Sequence, residues 1–318
     1  TIPPYLCALY SIPEGVNTEA AEIVKSVVME EMLHMTLVAN VMNAVGGAPV
    51  VADPHFVADY PTALPHSAGE FKVSLLPLGP KALDVFLLIE RPDEGPPQSD
   101  HYQTIGQFYT AIRDGIEKLD ADMGKRGEKL FIGPADRQVP TTWYYGGGGA
   151  VRPVCCLKTA QAALLEVVEQ GEGAHHGLYD DDNKYGQTAE VAHYYRFMEI
   201  LKQRRYGPKD TPQSGPSGQE LPMDWSAIYP MHPNPKVKDY EKQPSVQRMM
   251  VQFNRSYTTL LRELQLAFNG TPERLMQAVP LMYELRHQGT SLMKIPSCHG
   301  DGTTVGPSFE YDEGAPMP

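Results

Sequence analysis

Apolar positions recur at the three-to-four-residue spacing of a helix face in only part of the chain. The clearest stretch covers 18–45, where Val24, Val28, Met35, Val38, Met42 and Val45 keep one heptad stripe. Glu31 occupies the remaining position of that stripe, and His34 lies beside it one turn on. Met29, Met32, Leu33 and Leu37 make the other faces apolar too, which predicts a helix enclosed by others. Shorter periodic segments predict helices over 5–11, 81–90, 101–119, 157–171, 188–203, 245–268 and 271–293. Asn17 or Thr18 is placed to cap the long helix, with Glu19 and Glu22 at the positive end of its dipole. Gly46-Gly47 stops it, and Thr271-Pro272-Glu273 opens the last helix. A single weak strand is predicted at 71–76, too little for a substantial sheet.

Composition explains the gaps between these helices. The 318 residues include 29 Pro and 28 Gly, about 18% of the chain against an average of ~12%. Both residues gather in 48–100, 121–157, 206–242 and the tail from 296, and the helical stretches nearly avoid them. The fold class expected is all-α with long excursions. No internal repeat of solenoid period is present. The balance of 27 Lys+Arg against 39 Asp+Glu gives a charge of −12. With no basic cluster, this disfavours nucleic acid and anionic membranes as partners. No apolar run reaches the ~18 residues of a membrane span, and no signal peptide is recognisable. The 4 Cys include no CxxC pair and are too few for a disulfide framework, so a reduced cytoplasm is expected.

The chemistry sits in two Glu-x-x-His pairs. A carboxylate such as Glu31 inside an apolar stripe is costly unless it is paired or metal-bound. Residues three apart on a helix share a face, so Glu31 and His34 can reach one ion. Glu190 and His193 repeat the spacing, on a predicted face shared with Phe197 and Leu201. Two such pairs with one further Glu from each of two other helices form the ligand set of a carboxylate-bridged di-iron site in a four-helix bundle. Carboxylate with imidazole suits iron or manganese. For the ligand from the helix over 157–171 the choice lies between Glu169 and Glu172. Helices over 5–11 and 18–45 would form one hairpin and those over 157–171 and 188–203 another, joined by a long crossover in the ferritin-like plan. That plan asks for a Glu midway along the first helix. Counting back from the turn places it at or before Thr1, so an upstream extension of the helix is expected to carry it. A site lacking that ligand is the alternative.

Several stretches resemble one family. Thr1-Ile-Pro-Pro-Tyr-Leu-Cys-Ala-Leu-Tyr-Ser-Ile12, Glu30-Glu-Met-Leu-His34 with Asn40 to Gly47 following, Glu169-Gln-Gly-Glu-Gly173, Ala192-His-Tyr-Tyr-Arg-Phe197 with Glu199-Ile200, and Gly306-Pro-Ser-Phe-Glu-Tyr311 come in the right order over most of the chain. They are similar to the ferritin-like domain of the iminophenyl-pyruvate dimer synthase type. The resemblance implies a ferritin-like bundle and an oxidative role in secondary metabolism. Larger relatives couple imines derived from aromatic 2-oxo acids.

The function expected is an O2-dependent di-iron oxidase or oxygenase acting on a small aromatic molecule. A second copy of the chain or another enzyme of its pathway are the protein partners left open. Non-catalytic iron binding and a metal-free partner-binding role are the alternatives. Residues 1–205 are expected to form the bundle with its insertions. Residues 206–318 are expected to form a Pro-rich segment, two helices and a coil tail packed on it. Tyr5, Tyr10, Tyr194 and Tyr195 are read first as core and second as neighbours of the metals. Arg196 is read as a salt-bridge or solvent-facing residue. His175-His176, in a loop with Asp180 to Asp182, read as solvated, and Gly146 to Gly149, lacking the Lys-Ser/Thr of a phosphate loop, as flexible coil.

Overall fold

The computed structural model describes residues 1–64, 71–93, 102–144, 146–174, 177–181 and 189–317. Among them extended pairing is limited to isolated bridges, so the all-α expectation is met. The predicted strand at 71–76 is reduced to one bridge, Val73 opposite Thr62. Pro61 and Pro77 lie just outside the paired residues and cannot donate to a ladder.

Helix α1 (Ile2–Tyr10) begins earlier than its apolar spacing indicates. Pro residues are accepted in a first turn, where no N–H is required. A short turn leads to α2 (Thr18–Ala44), stopped by Gly46 at φ +86°. Asn17 holds the N-cap position at φ 48°, but its side chain does not cap. It donates to the Asp224 carbonyl at 2.9 Å and accepts from the Asp224 N–H at 2.8 Å. The helix end is thereby fastened to the 206–242 insertion.

The long crossover that follows α2 carries two helices of its own, α3 (Pro80–Ile89) and α4 (Ile105–Lys125). Thr104 caps α4, its Oγ1 accepting the Gln107 N–H at 3.1 Å. The predicted start at His101 lies outside the described residues. Helix α5 (Leu157–Glu172) matches its expected span within a residue. Helix α6 (His193–Lys202) begins later than the predicted 188, which also lies outside the described residues. Backbone groups that would start it sooner are used elsewhere. Asp180 N–H donates to the Glu190 carbonyl and Ala192 N–H to the Leu178 carbonyl, each at 2.9 Å.

Helices α1, α2, α5 and α6 form the bundle, with α2 against the other three. Helix α3 lies on α6, and α4 lies on α5. Helices α7 (Pro244–Ala267) and α8 (Leu275–Met293) make a hairpin docked through α8 on α1. Gly289 lets the two surfaces close, since a Cβ there would lie 2.6 Å from Tyr10 Cδ2. One apolar core runs from Tyr5 in α1 through Phe86, Phe197 and Phe253 to Phe309 in the tail. The Pro-rich insertion enters the same core through Leu221, Met231 and Tyr240. The four cysteines are free, and no described helix is long and apolar enough to cross a membrane.

Candidate metal centre

Glu31 and His34 stand one turn apart on α2, with His34 Nδ1 3.1 Å from Glu31 Oε1. His193, the first residue of α6, is fully buried and faces them, its ring centroid 5.5 Å from that of His34. His193 Nδ1 lies 3.6 Å from Glu31 Oε1 and 3.5 Å from Glu90 Oε2. Glu90 enters from the C-terminal end of α3, so the crossover helix supplies a carboxylate to the bundle interior.

Each of these four side chains has one polar atom tied and the other turned inward. Thr1 Oγ1 donates to Glu31 Oε2 at 2.5 Å, leaving Oε1 for the cluster. The Tyr5 hydroxyl donates to Glu90 Oε1, leaving Oε2. His193 Nε2 meets Glu30 Oε2 at 2.8 Å, and His34 Nε2 meets Gln170 Oε1 at 2.7 Å. Both Nδ1 atoms are left facing the carboxylates. Orientation of this kind by outer partners is how proteins fix metal-binding imidazoles.

Ligand atoms of Glu31, Glu90 and His193 all lie within 4.8 Å of one another. An ion bonded at ~2.1 Å to each would hold such atoms about 3–3.5 Å apart. His193 Nδ1 is buried and makes no hydrogen bond, an unusual state for a buried polar atom. No described Lys or Arg pairs with Glu31 or Glu90, although both carboxylates are largely buried. The orphaned nitrogen, the spacing and the excess of negative charge all fit a divalent cation.

The electrostatics follow from this crowding. Burial opposes ionisation of Glu31, but the hydrogen bond and charge of His34 and the charge of His193 prevail, holding its carboxyl well below the usual range. Burial alone would lower His193; the Glu30 and Glu90 carboxylates outweigh it and raise the imidazolium to about 10. Glu172 moves the other way, to about 7. Its burial and the charges of Asp93 and Glu90 exceed the help of two backbone N–H donors, Asp93 at 2.8 Å and Gly106 at 2.6 Å. Gly106 lies in the first turn of α4, so the Glu172 carboxyl sits at that helix's N-terminus.

A cavity of about 100 Å3 opens on the cluster, with Thr1, Glu31, His34, Glu90 and Glu172 on its polar side. Ile105 and Tyr109 of α4 and Val167 and Val168 of α5 form the apolar side. Of the residues expected as ligands, Glu31, His34 and His193 converge, and Glu172 reaches the cavity wall. Glu169, buried one turn back on α5, does not line the cavity. Glu190 is not brought in. It precedes α6, is exposed, and pairs with Arg196 at 3.0 Å. The Glu-x-x-His spacing there is therefore not on a helix, which removes the reason for a shared face.

Glu30 and Glu90 carry no Glu-x-x-His spacing and are not singled out by that pattern. Glu90 ends the apolar run Val85 to Ile89, a signal of the same kind as Glu31 in its stripe. Arg196 is the salt-bridge residue expected, bonding Glu30 Oε1 at 2.7 Å. Of the four tyrosines, Tyr5 touches the cluster. Tyr10 is core, and Tyr194 and Tyr195 pack with Tyr206 in a separate cluster. His175, His176 and Asp182 lie outside the described residues.

These features define a helical bundle with a Glu/His centre, and comparison with known proteins agrees. The family model described as Ferritin-like matches residues 1–202, and the chain belongs to the ferritin-like family. Dichlorochromopyrrolate synthase of Lentzea aerocolonigenes is 29% identical over 90% of the chain, as the resemblance to iminophenyl-pyruvate dimer synthase enzymes leads one to expect. The chain spans 29% of that protein's length. A crystal structure of a ferritin like protein from Caulobacter vibrioides superposes with a TM-score of 0.62 at 21% identity. It covers 98% of this chain and 92% of its own, which shows the fold.

Proposed function

We propose that the chain is a di-iron enzyme of secondary metabolism that uses O2 to oxidise a small aromatic molecule. Manganese is the nearest substitute for iron. Glu31, His34, Glu90 and His193 would hold the ions, with Glu172 in the cavity wall beside them. The observation that carries this reading is His193 Nδ1, fully buried, without a hydrogen bond, and facing two carboxylates at 3.5 and 3.6 Å. The bound ions would supply the electrons for reducing O2.

The protein's own groups set the conditions around them. Thr1 and Tyr5 orient the two carboxylates, and Glu30 with Arg196 holds His193. Ile105, Tyr109, Val167 and Val168 keep one wall dry. The cavity of about 100 Å3 is below the ~300–1,000 Å3 of pockets that engulf a drug-sized ligand. It suits O2 and water, so an aromatic substrate would meet the centre at the cavity's edge. Kinship with dichlorochromopyrrolate synthase supports oxidative coupling of imines from aromatic 2-oxo acids as the reaction class. A cytoplasmic site of action is part of the same reading.

Anaerobic Fe(II) loading followed by metal analysis tests the proposal. Close to two ions per chain are expected, with His34→Ala, His193→Ala and Glu90→Gln each losing metal and Glu190→Gln retaining it. Fewer than one ion per chain in the wild-type protein would sink the reading in favour of a metal-free binding role. Full loading without O2 consumption, when aromatic imines or amino acids are supplied, would favour iron binding alone.

A further inference from the structure

Gly146 to Gly149 are not loose coil, because the segment around them is fastened to α2 and to itself. Gln138 Nε2 donates to the Val154 carbonyl at 2.7 Å, and Gln138 Oε1 accepts the Val154 N–H at 2.8 Å. Thr141 Oγ1 donates to the Val151 carbonyl at 2.8 Å. Asn40 of α2 holds Val139 through both amide atoms, at 2.8 and 2.9 Å. The tip then lies directly on the centre's outer layer. A Cβ at Gly148, where φ is +81°, would sit 2.4 Å from Glu30 Cγ. One at Gly149 would sit 2.4 Å from Leu33 Cδ2 and 3.3 Å from Gln170 Nε2. Only glycine permits this approach.

The close approach places one carbonyl with consequences for His34. Gln170 Nε2 donates to the Gly148 carbonyl at 2.8 Å. A carbonyl can only accept, so Gln170 must turn its NH2 toward Gly148 and its oxygen toward His34 Nε2, 2.7 Å away. The histidine nitrogen there must then carry the hydrogen. We propose that the glycine loop, acting through Gln170 as a positioning residue, keeps a hydrogen on His34 Nε2 and so makes Nδ1 the nitrogen that can be freed for a cation. In the metal-free protein Nδ1 lies 3.1 Å from Glu31 Oε1, an ionised carboxylate to which it donates. Glu30 holds a hydrogen on His193 Nε2 directly; at His34 a neutral amide does so, and the loop sets its orientation. The inference deepens the metal-centre reading, but the hydrogen on Nε2 is a property of the metal-free protein.

The test uses the metal-free full chain labelled with 15N-histidine, at pH 8, with His34→Ala assigning the resonance. The expected spectrum shows His34 protonated at Nε2 in the wild type and at Nδ1 alone in Gln170→Leu. Gln170→Glu should keep the Nε2 proton, because a carboxylate still accepts from Nε2–H. A wild-type His34 without a proton on Nε2, or no change in Gln170→Leu, overturns the proposal. Co(II) titration of the same proteins gives the second readout. Gln170→Leu should bind about 10–100-fold more weakly, and Gln170→Glu should bind within a few-fold of wild type. Equal Co(II) affinity in wild type and Gln170→Leu overturns the positioning role. The expected protonation at Nε2 without Co(II) binding by any variant would leave this inference standing and remove the metal reading.

Discussion

At the scale of single residues, His193 shows how far surroundings can displace ordinary behaviour. Its imidazolium is raised to about 10 by Glu30 and Glu90 against the pull of burial, from an ordinary value of about 6.5. Because the folded value is the higher one, these contacts stabilise the metal-free protein fully below about pH 6.5. The contribution is lost as pH rises through about 10. The melting temperature of the metal-free protein is therefore expected to fall between pH 7 and pH 10 more than that of His193→Ala, and a scanning-calorimetry series checks this. Metal needs the neutral ring, so loading at pH 7 should release a proton that a pH-stat detects. Residues with a local signature were legible in the sequence. Glu31 and His34 share one helix, where spacing dictates contact. Glu90 was not legible as their partner, because its place depends on how α3 packs. Glu190 misled because its spacing from His193 carried meaning only if α6 began before it.

At the scale of elements, helices with an unbroken apolar period were readable almost to the residue, as α2 and α5 show. Starts were less readable wherever a remote backbone partner decided them. Residues 190–192 are withheld from α6 by hydrogen bonds to 178–180, segments that no local pattern links. Helix α3 is the element whose position matters most to the centre, because it delivers Glu90. Phe86 anchors it, with 1% exposure and ring centroids 4.6 Å from Tyr5 and 5.1 Å from Phe197. Phe86→Ala should cost about 3–5 kcal/mol in urea denaturation, as expected for an emptied aromatic site. It should also weaken metal binding, since Glu90 lies one turn further along the same helix. Leu88→Ala, at a 39% exposed position, should leave both quantities nearly unchanged. A stability loss in Phe86→Ala with undiminished metal affinity would mean that Glu90 is positioned independently of α3.

At the scale of the whole molecule, the uneven distribution of Pro and Gly revealed a bundle interrupted by long insertions. It did not reveal that the insertions and the α7–α8 hairpin share the bundle's core. Tyr10 of α1 meets Gly289 of α8, Asn17 is tied to Asp224, and Phe309 of the tail meets Phe253 edge to face with ring centroids 4.9 Å apart. Such contacts join residues far apart in the chain, and the pattern of each segment alone carries no trace of its partner. They also predict how the protein unfolds. A continuous core from Tyr5 to Phe309 should not come apart in two steps, since losing the hairpin would expose Tyr10 and the apolar face of α1. The chain's 2 Trp lie on either side of residue 205, at Trp143 and Trp225. Trp143→Phe and Trp225→Phe variants therefore report separately on the two halves. Their fluorescence midpoints in urea are expected to coincide with each other and with the loss of helix followed by circular dichroism, as all-or-none unfolding requires. Midpoints that separate, with Trp225 responding first, would show that residues 206–318 are an independent unit resting on a bundle stable without them.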